Sequence, residues 1–194
     1  ASDRVGIIAY AAQAVPQLPI TTDYGAAKMF LQALNTDMLS SQGTAIDAAI
    51  DLAATYFDDE DQTNRVIFIL SDGEDHSEKA MAAAERAKEL GIKIFTFGVG
   101  TEKGAPIPIK RNGIVESYKK DENGEVVMTK RNPEVLTSIA DATDGNYTEG
   151  NDTQAVLEFV SETLKQMEKK EFEVKKFVSY KDRFQPFLIA GFLL

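Results

Sequence analysis

Thr44 and Asp72 are the residues of this sequence whose types and positions best fit a chemical role. Thr44 follows Gly43 where a predicted helix begins, and Asp72 follows a run of apolar residues that predicts a buried strand. In a parallel α/β sheet, ligands bind at the carboxyl ends of the strands. A hydroxyl and a carboxylate are hard oxygen donors, which suit Mg²⁺ or Ca²⁺. The alternative is structural, with Asp72 capping a turn and Thr44 capping the helix.

The scarcity of Cys and His excludes much catalytic chemistry. The chain has no Cys and a single His, His76, which excludes a thiolate metal site, a Cys nucleophile and any site that needs two imidazoles. Ser71, Asp72 and His76 include the residue types of a hydrolase triad, but neighbours on one loop cannot readily adopt its geometry. The glycine-rich stretch 98–104 departs from dinucleotide-binding spacing, and Pro106 follows where a helix should begin. We therefore predict that the chain is not an enzyme.

Composition and charge are those of a globular domain with an acidic surface. The 194 residues are 43% hydrophobic and 27% charged, which is enough apolar material for a sizeable core. The formal net charge is −10, so no basic surface is available to neutralise phosphates. Nucleic acid is therefore excluded as the expected partner.

Short apolar runs alternate with segments of helical periodicity along the chain. This alternation predicts an α/β fold with a doubly wound, mainly parallel sheet and helices on both faces, as in Rossmann-like folds. The unbroken apolar run 65–70 is predicted to be a central strand covered on both faces. Two prolines limit residues 15–20 to an edge strand or an extended loop. The other predicted strands are 5–10, 92–99 and 145–148, and the predicted helices are 24–34, 43–57, 77–90, 133–142 and 152–169.

Residues 101–130, called the insertion below, interrupt this alternation. Pro106 and Pro108 stand near its start, and the sequence Asp-Glu-Asn-Gly at 121–124 is a turn signal. The segments before and after this turn, 114–118 and 126–129, are rich in apolar and β-branched residues. We predict a β-hairpin that pairs these two segments.

The two ends of the chain are predicted to be incomplete. Residues 186–194 are apolar without interruption, but a membrane span needs roughly 20 such residues. We interpret them as the start of a truncated transmembrane segment, and the basic and aromatic stretch 171–185 as a juxtamembrane linker. A core helix or strand at the C-terminus is the alternative. At the other end, residues 1–4 run straight into an apolar segment without a signal peptide, which is typical of a fragment.

Two segments resemble the von Willebrand factor A (VWA) domain. They are Ser-Gln-Gly-Thr-Ala-Ile at 41–46 and Arg-Val-Ile-Phe-Ile-Leu-Ser-Asp-Gly-Glu-Asp at 65–75. The similarity extends over about residues 4–168, and the VWA domain is predicted to span residues 1–170. In that family a metal-ion-dependent adhesion site combines an Asp-x-Ser-x-Ser loop, a Thr in a Gly-Thr helix start and an Asp in a Ser-Asp-Gly loop. Thr44 and Asp72 match the second and third of these elements.

The first element of the adhesion site is missing from the sequence. No Asp-x-Ser-x-Ser occurs in it, and the family places that loop after a first strand that would precede Asp3. The resemblance therefore implies a partial VWA domain that binds Mg²⁺, or Mn²⁺ or Ca²⁺, weakly or not at all. Because the missing strand is central in the family's sheet, we also expect a substitute strand, a domain swap or a homo-oligomer.

Features of the insertion and the C-terminus resemble the Bat (Bacteroides aerotolerance) proteins within this family. These features are the Pro-Ile-Pro-Ile stretch 106–109, the hairpin through 121–124 and the apolar C-terminus. The resemblance implies a protein of the bacterial inner membrane that works with sister Bat proteins and a MoxR-type ATPase. It also implies a periplasmic VWA domain, although the basic residues before the apolar run favour the cytoplasmic side.

Two functional hypotheses follow. The first is a protein-protein interaction module in which a divalent ion, ligated by Thr44 and Asp72, keeps a position open for an acidic side chain of the partner. The second is a scaffold domain of a membrane complex that needs no metal.

Overall fold

The structure is a computed structural model that describes residues 3–35, 38–39, 43–57, 64–74, 79–111, 114–121 and 123–179. Its strands are β1 (Val5–Tyr10), β2 (Ala14–Thr21), β3 (Arg65–Ser71), β4 (Ile92–Gly98), β5 (Ala105–Pro106), β6 (Pro108–Arg111), β7 (Ile114–Tyr118), β8 (Met128–Thr129) and β9 (Tyr147–Glu149). Its helices are α1 (Tyr24–Ala33), α2 (Ile46–Ala54), α3 (Lys79–Glu89), α4 (Pro133–Ala142) and α5 (Thr153–Ser179). The chain divides into two compact units, Ala1–Thr153 and Gln154–Leu194.

The first unit contains a parallel sheet of β3, β4 and β9, in that order. The register runs from Arg65 opposite Ile92 to Ser71 opposite Gly98. This confirms the predicted α/β fold with a mainly parallel sheet. The prediction that β3 is the central, doubly covered strand is wrong, because β4 takes that position. Among the described residues β3 pairs along one edge only, and its Leu70 is 61% exposed.

The main core lies where α2, α3 and α4 pack on the sheet. Four alanines of α3 recur on one face at helical spacing, and their small side chains let the helix approach its neighbours closely. Two buried hydroxyl groups join α4 to β4: Thr96 Oγ1 donates to the Leu136 carbonyl, and Thr143 Oγ1 accepts from the Ile94 amide. The core comprises Ile46, Ile50, Ile69, Ala80, Ala83, Ala84, Ala87, Ile92, Ile94, Leu136 and Ile139.

A second, smaller cluster holds the antiparallel pair of β1 and β2 against α1. Ile7, Leu18 and Ala27 are its buried members. The helix starts as predicted, because the Asp23 side chain accepts a hydrogen bond from the Ala26 amide. This hairpin is a separate sheet from β3, β4 and β9.

The insertion folds differently from the predicted hairpin. The turn is confirmed, since Asp121 Oδ1 accepts from the amides of Asn123 and Glu125. However, β7 pairs mainly with the preceding strand β6, and β8 pairs with β5. Among the described residues, the predicted pairing survives only next to the turn. It consists of the Lys120–Val126 bridge and the hydrogen bonds from the Val127 amide to the Lys119 carbonyl and from the Asp121 amide to the Glu125 carbonyl.

The second unit contains α5, which is longer than its predicted range 152–169. The helix reaches Ser179 and so enters residues 171–185, which were predicted to be a linker. The apolar residues 186–194 lie outside the described part of the chain, and the predicted boundaries of domain, linker and membrane segment stay predictions. In the ranges that the structure describes, no helix has both the length and the apolar character that a membrane crossing requires.

Candidate functional site

Asp72 lies in a tight loop that leaves the carboxyl end of β3. The Ser71 hydroxyl accepts from the Gly73 amide at 3.0 Å, and Asp72 Oδ1 accepts from the Glu74 amide at 3.2 Å. Gly73 has φ +76°, and a Cβ atom built on it would lie 2.3 Å from the Asn132 carbonyl oxygen. The loop therefore requires glycine at this position. Asp72 does cap a turn, as the structural alternative predicted.

The end of the insertion closes over this loop. Thr129 Oγ1 donates to Asp72 Oδ2 at 3.3 Å, and the Asn132 amide donates to the Asp72 carbonyl at 2.7 Å. The Lys130 amide donates to Glu74 Oε1 at 2.7 Å. Among the described residues, each carboxylate oxygen of Asp72 thus accepts one hydrogen bond, and an ionised carboxylate has about four acceptor positions. The half-buried Asp72 side chain is oriented by these contacts and still has the capacity to ligate a cation.

Thr44 is half-buried just before α2. The alternative that it caps this helix is wrong, because the helix begins at Ile46 and the N-cap residue is Ala45, which makes no side-chain cap. The Ala45 amide instead donates to the Ala11 carbonyl at 2.7 Å. This bond fixes Thr44 beside the residue that follows β1.

A hydrogen bond from Tyr10 links the two halves of the candidate site. Tyr10, the last residue of β1, donates its hydroxyl to the carbonyl of Leu70 near the end of β3, at 3.1 Å. Since Thr44 lies beside the end of β1 and Asp72 directly follows β3, both residues lie at the same end of the fold. They are hard oxygen donors, so their chemistry fits Mg²⁺, Mn²⁺ or Ca²⁺.

No larger cluster of acidic or imidazole ligands adds to Thr44 and Asp72 within the described residues. Within the described ranges, no group of three or more His, Cys, Asp or Glu could hold a metal ion. His76, considered above for a hydrolase triad, lies outside the described residues.

Arg131 is a buried cation that sequence reasoning missed. Its side chain is 7% exposed and pairs with Glu102, at 2.7 Å, and with Glu149. The hydrogen bond to Glu102 raises the pKa of the guanidinium, which stays charged. Because these partners are 29 and 18 residues away in the sequence, no local pattern indicates the cluster. Burial also raises the pKa of Tyr147, whose hydroxyl donates to Glu149.

A cleft of about 480 Å³ opens beside the Asp72 loop. It lies where β5 and β8 pair, so that residues just before β5 and just after β8 are neighbours in its lining. Its lining combines two lysines, one carboxylate, one amide and one thioether: Glu74, Lys103, Gly104, Met128, Lys130 and Asn132.

Comparison with known proteins agrees with this fold and these motifs. The sequence profile of the von Willebrand factor type A domain matches residues 1–111. The crystal structure of BatB from Bacteroides thetaiotaomicron is 38% identical in sequence, with a TM-score of 0.81, and the match covers 87% of this chain and 81% of that one. An aerotolerance-related membrane protein from Bacteroides fragilis is 37% identical with a TM-score of 0.78, over 86% of this chain and 81% of that one.

A more distant relative is longer than this chain. It is an uncharacterized protein from Borreliella burgdorferi, 26% identical over the whole of this chain, which spans 55% of that protein. The matches confirm the resemblance carried by the Gly-Thr and Ser-Asp-Gly segments. The chain belongs to the von Willebrand factor type A domain family and, within that family, is similar to the Bat aerotolerance proteins.

Proposed function

We propose that this domain is a protein-protein interaction module of a membrane-anchored Bat-type complex, and that a divalent ion at Thr44 and Asp72 assists recognition. The observation that carries this proposal is that two hard oxygen donors from separate elements lie at one end of the fold, where the Tyr10 hydroxyl links β1 to β3. Ligands of α/β folds bind at this end of a parallel sheet.

The side chains at the site support cation binding of low affinity. The Glu74 amide and the Thr129 hydroxyl hold the two oxygens of Asp72, so little ordering is needed when it ligates. A bound ion would supply positive charge and an open coordination position for a carboxylate of the partner. Two protein ligands leave most of an octahedral shell to water, which keeps the affinity weak.

The cellular setting of this proposal comes from the relatives. One similar structure is described as an aerotolerance-related membrane protein, and we place this chain in the same setting. Sister Bat proteins and a MoxR-type ATPase are the proposed partners, and the periplasmic side of the inner membrane is the proposed location.

A metal-independent scaffold is the second candidate. It is favoured by the loop at 71–74, where hydrogen bonds within the protein already engage both oxygens of Asp72. In this case Asp72 only shapes the loop, and partner binding uses other surfaces.

Titration with paramagnetic Mn²⁺, followed by nuclear magnetic resonance, separates the two candidates. Weak binding at the site broadens the amide signals of Ala45 and Gly73 before those of distant residues. We expect Thr44→Val and Asp72→Asn to remove this selective broadening, and Thr44→Ser, which keeps the hydroxyl, to retain it. If the wild type shows no selective broadening up to about 10 mM Mn²⁺, or Thr44→Val leaves it unchanged, the metal-assisted proposal is wrong and the scaffold is favoured.

A further inference from the structure

The insertion differs in charge from the rest of the chain. It contains six Lys or Arg and five Asp or Glu, a net charge of +1, whereas the whole chain carries −10. One of its acids, Glu102, is paired with the buried Arg131. Arg111 and Glu116 also pair with each other, so five cations and three carboxylates of the insertion remain, in a segment attached to a strongly acidic domain.

Two of these cations flank the cleft beside Asp72. Lys103 precedes β5 and Lys130 follows β8, and both side chains are exposed. Met128, 57% exposed, gives the same cleft an apolar wall. Glu74 also lines the cleft, and its carboxylate accepts from the Lys130 amide. With two lysines against this one carboxylate, the cleft can receive a second carboxylate together with a small apolar group.

The neighbouring ribbon of β6 and β7 presents apolar side chains to solvent. Every residue of β7 is exposed, including Ile114 at 71% and Tyr118 at 46%, and Ile109 of β6 is 48% exposed. A two-stranded ribbon exposed in this way is only marginally stable in water, and exposed apolar patches on soluble domains commonly mark interaction sites.

We propose that the insertion docks an acidic, extended segment of a protein partner, with carboxylates against Lys103 and Lys130 and apolar side chains on the ribbon. This inference rests on the proposed function as an interaction module, but it does not require the metal ion. A protein segment is favoured over nucleic acid or an anionic membrane, because the negative charge outside the insertion repels a large polyanion. The exposed apolar side chains also contribute nothing to the binding of nucleic-acid phosphates.

The test measures binding of a fluorescent peptide of alternating Glu and Val to the whole chain by fluorescence anisotropy. The Lys103→Glu/Lys130→Glu variant is compared with Lys28→Glu/Lys165→Glu, which changes two exposed lysines outside the insertion and gives the same net charge. We expect about tenfold weaker binding for the cleft variant and less than about twofold for the control. Thermal unfolding and a Lys103→Gln/Lys130→Gln variant show that any loss is not a folding defect.

Several outcomes overturn the inference. They are equal weakening by the two charge-reversed variants, equal binding of a peptide of alternating Gln and Val, equal competition by heparin or anionic vesicles, and no saturation up to about 1 mM peptide. A chelator separates this inference from the metal proposal. If lysine reversal weakens binding and the chelator does not, the docking surface is supported and metal-assisted recognition is not. If the chelator weakens binding and lysine reversal does not, metal-assisted recognition is supported and the docking surface is not.

Discussion

Replacing Gly73 by Ala tests whether the Asp72 loop is held against the end of the insertion. At φ +76° an L-residue costs about 1–2 kcal/mol more than glycine. The new Cβ would also lie 2.3 Å from the Asn132 carbonyl oxygen, which is backbone and cannot rotate away. The loop must then move, which breaks the bond from the Asn132 amide to the Asp72 carbonyl and costs about 0.5–1.5 kcal/mol more.

Gly91→Ala is the matched control for this change. Gly91 has φ +70°, and a Cβ atom there would meet no atom within 4 Å. Both variants reduce the entropy of the unfolded chain equally, so this contribution cancels in the comparison. We expect Gly73→Ala to lower the free energy of unfolding by about 2–3 kcal/mol and Gly91→Ala by about 1 kcal/mol.

The assay is equilibrium unfolding in urea followed by circular dichroism, and the difference between the two variants is the quantity of interest. Gly73→Ala should also shift the amide resonances of Glu74 and Asn132, whereas Gly91→Ala should not. Equal destabilisation by the two variants, with those resonances unchanged, would refute the close packing of residues 71–74 against residue 132.

Three further predictions concern buried and surface polar groups. Thr143→Val should cost about 1–3 kcal/mol and speed hydrogen exchange of the Ile94 amide, because this amide loses its acceptor; equal exchange rates would contradict this. A double-mutant cycle on the exposed pair of Arg86 and Asp51, which joins α3 to α2, should give a coupling of about 0.5–1 kcal/mol that falls at about 1 M salt. Burial raises the pKa of Tyr147 above its ordinary value of 10.0, so its contribution to stability is complete below that pH and is lost as pH rises through the folded-state pKa. Urea unfolding between about pH 8 and 11 should therefore show a smaller alkaline loss for Tyr147→Phe than for the wild type.

Local sequence signals correctly predicted the helix starts that are set by neighbouring residues. Asp23 caps α1 and the Asn132-Pro133 pair starts α4, both within one helical turn of the residues concerned. Thr44 and Asp72 were predicted as metal ligands from short motifs, and this role stays a prediction; both residues lie at one end of the fold. The alternative role of Thr44 as a helix cap was wrong, since the N-cap residue is Ala45, whose amide donates to the Ala11 carbonyl, distant in sequence.

The errors concern pairing partners, which a local pattern does not specify. An apolar run such as that of β3 is equally typical of a central strand and of a strand at the edge of a sheet. Here β3 is partly exposed, at Leu70. In the insertion, the turn at 121–124 predicted pairing between the segments next to it in sequence, 114–118 and 126–129. The Lys119 amide, however, bonds to the Ile107 carbonyl, while the Lys119 carbonyl accepts from the Val127 amide, so this segment has neighbours on both sides.

Arg131 and nearby residues connect the insertion, where the partner is proposed to dock, to the proposed metal site at Asp72. The Arg131 side chain binds Glu102 in the insertion and Glu149 on β9, while the flanking residues Thr129 and Asn132 bind Asp72. A partner docked on the insertion therefore contacts a segment that directly orients the Asp72 carboxylate. If both proposals hold, we expect docking at Lys103 and Lys130 to change metal affinity at Asp72. By linkage, the effect of metal on partner affinity must then equal the effect of partner on metal affinity.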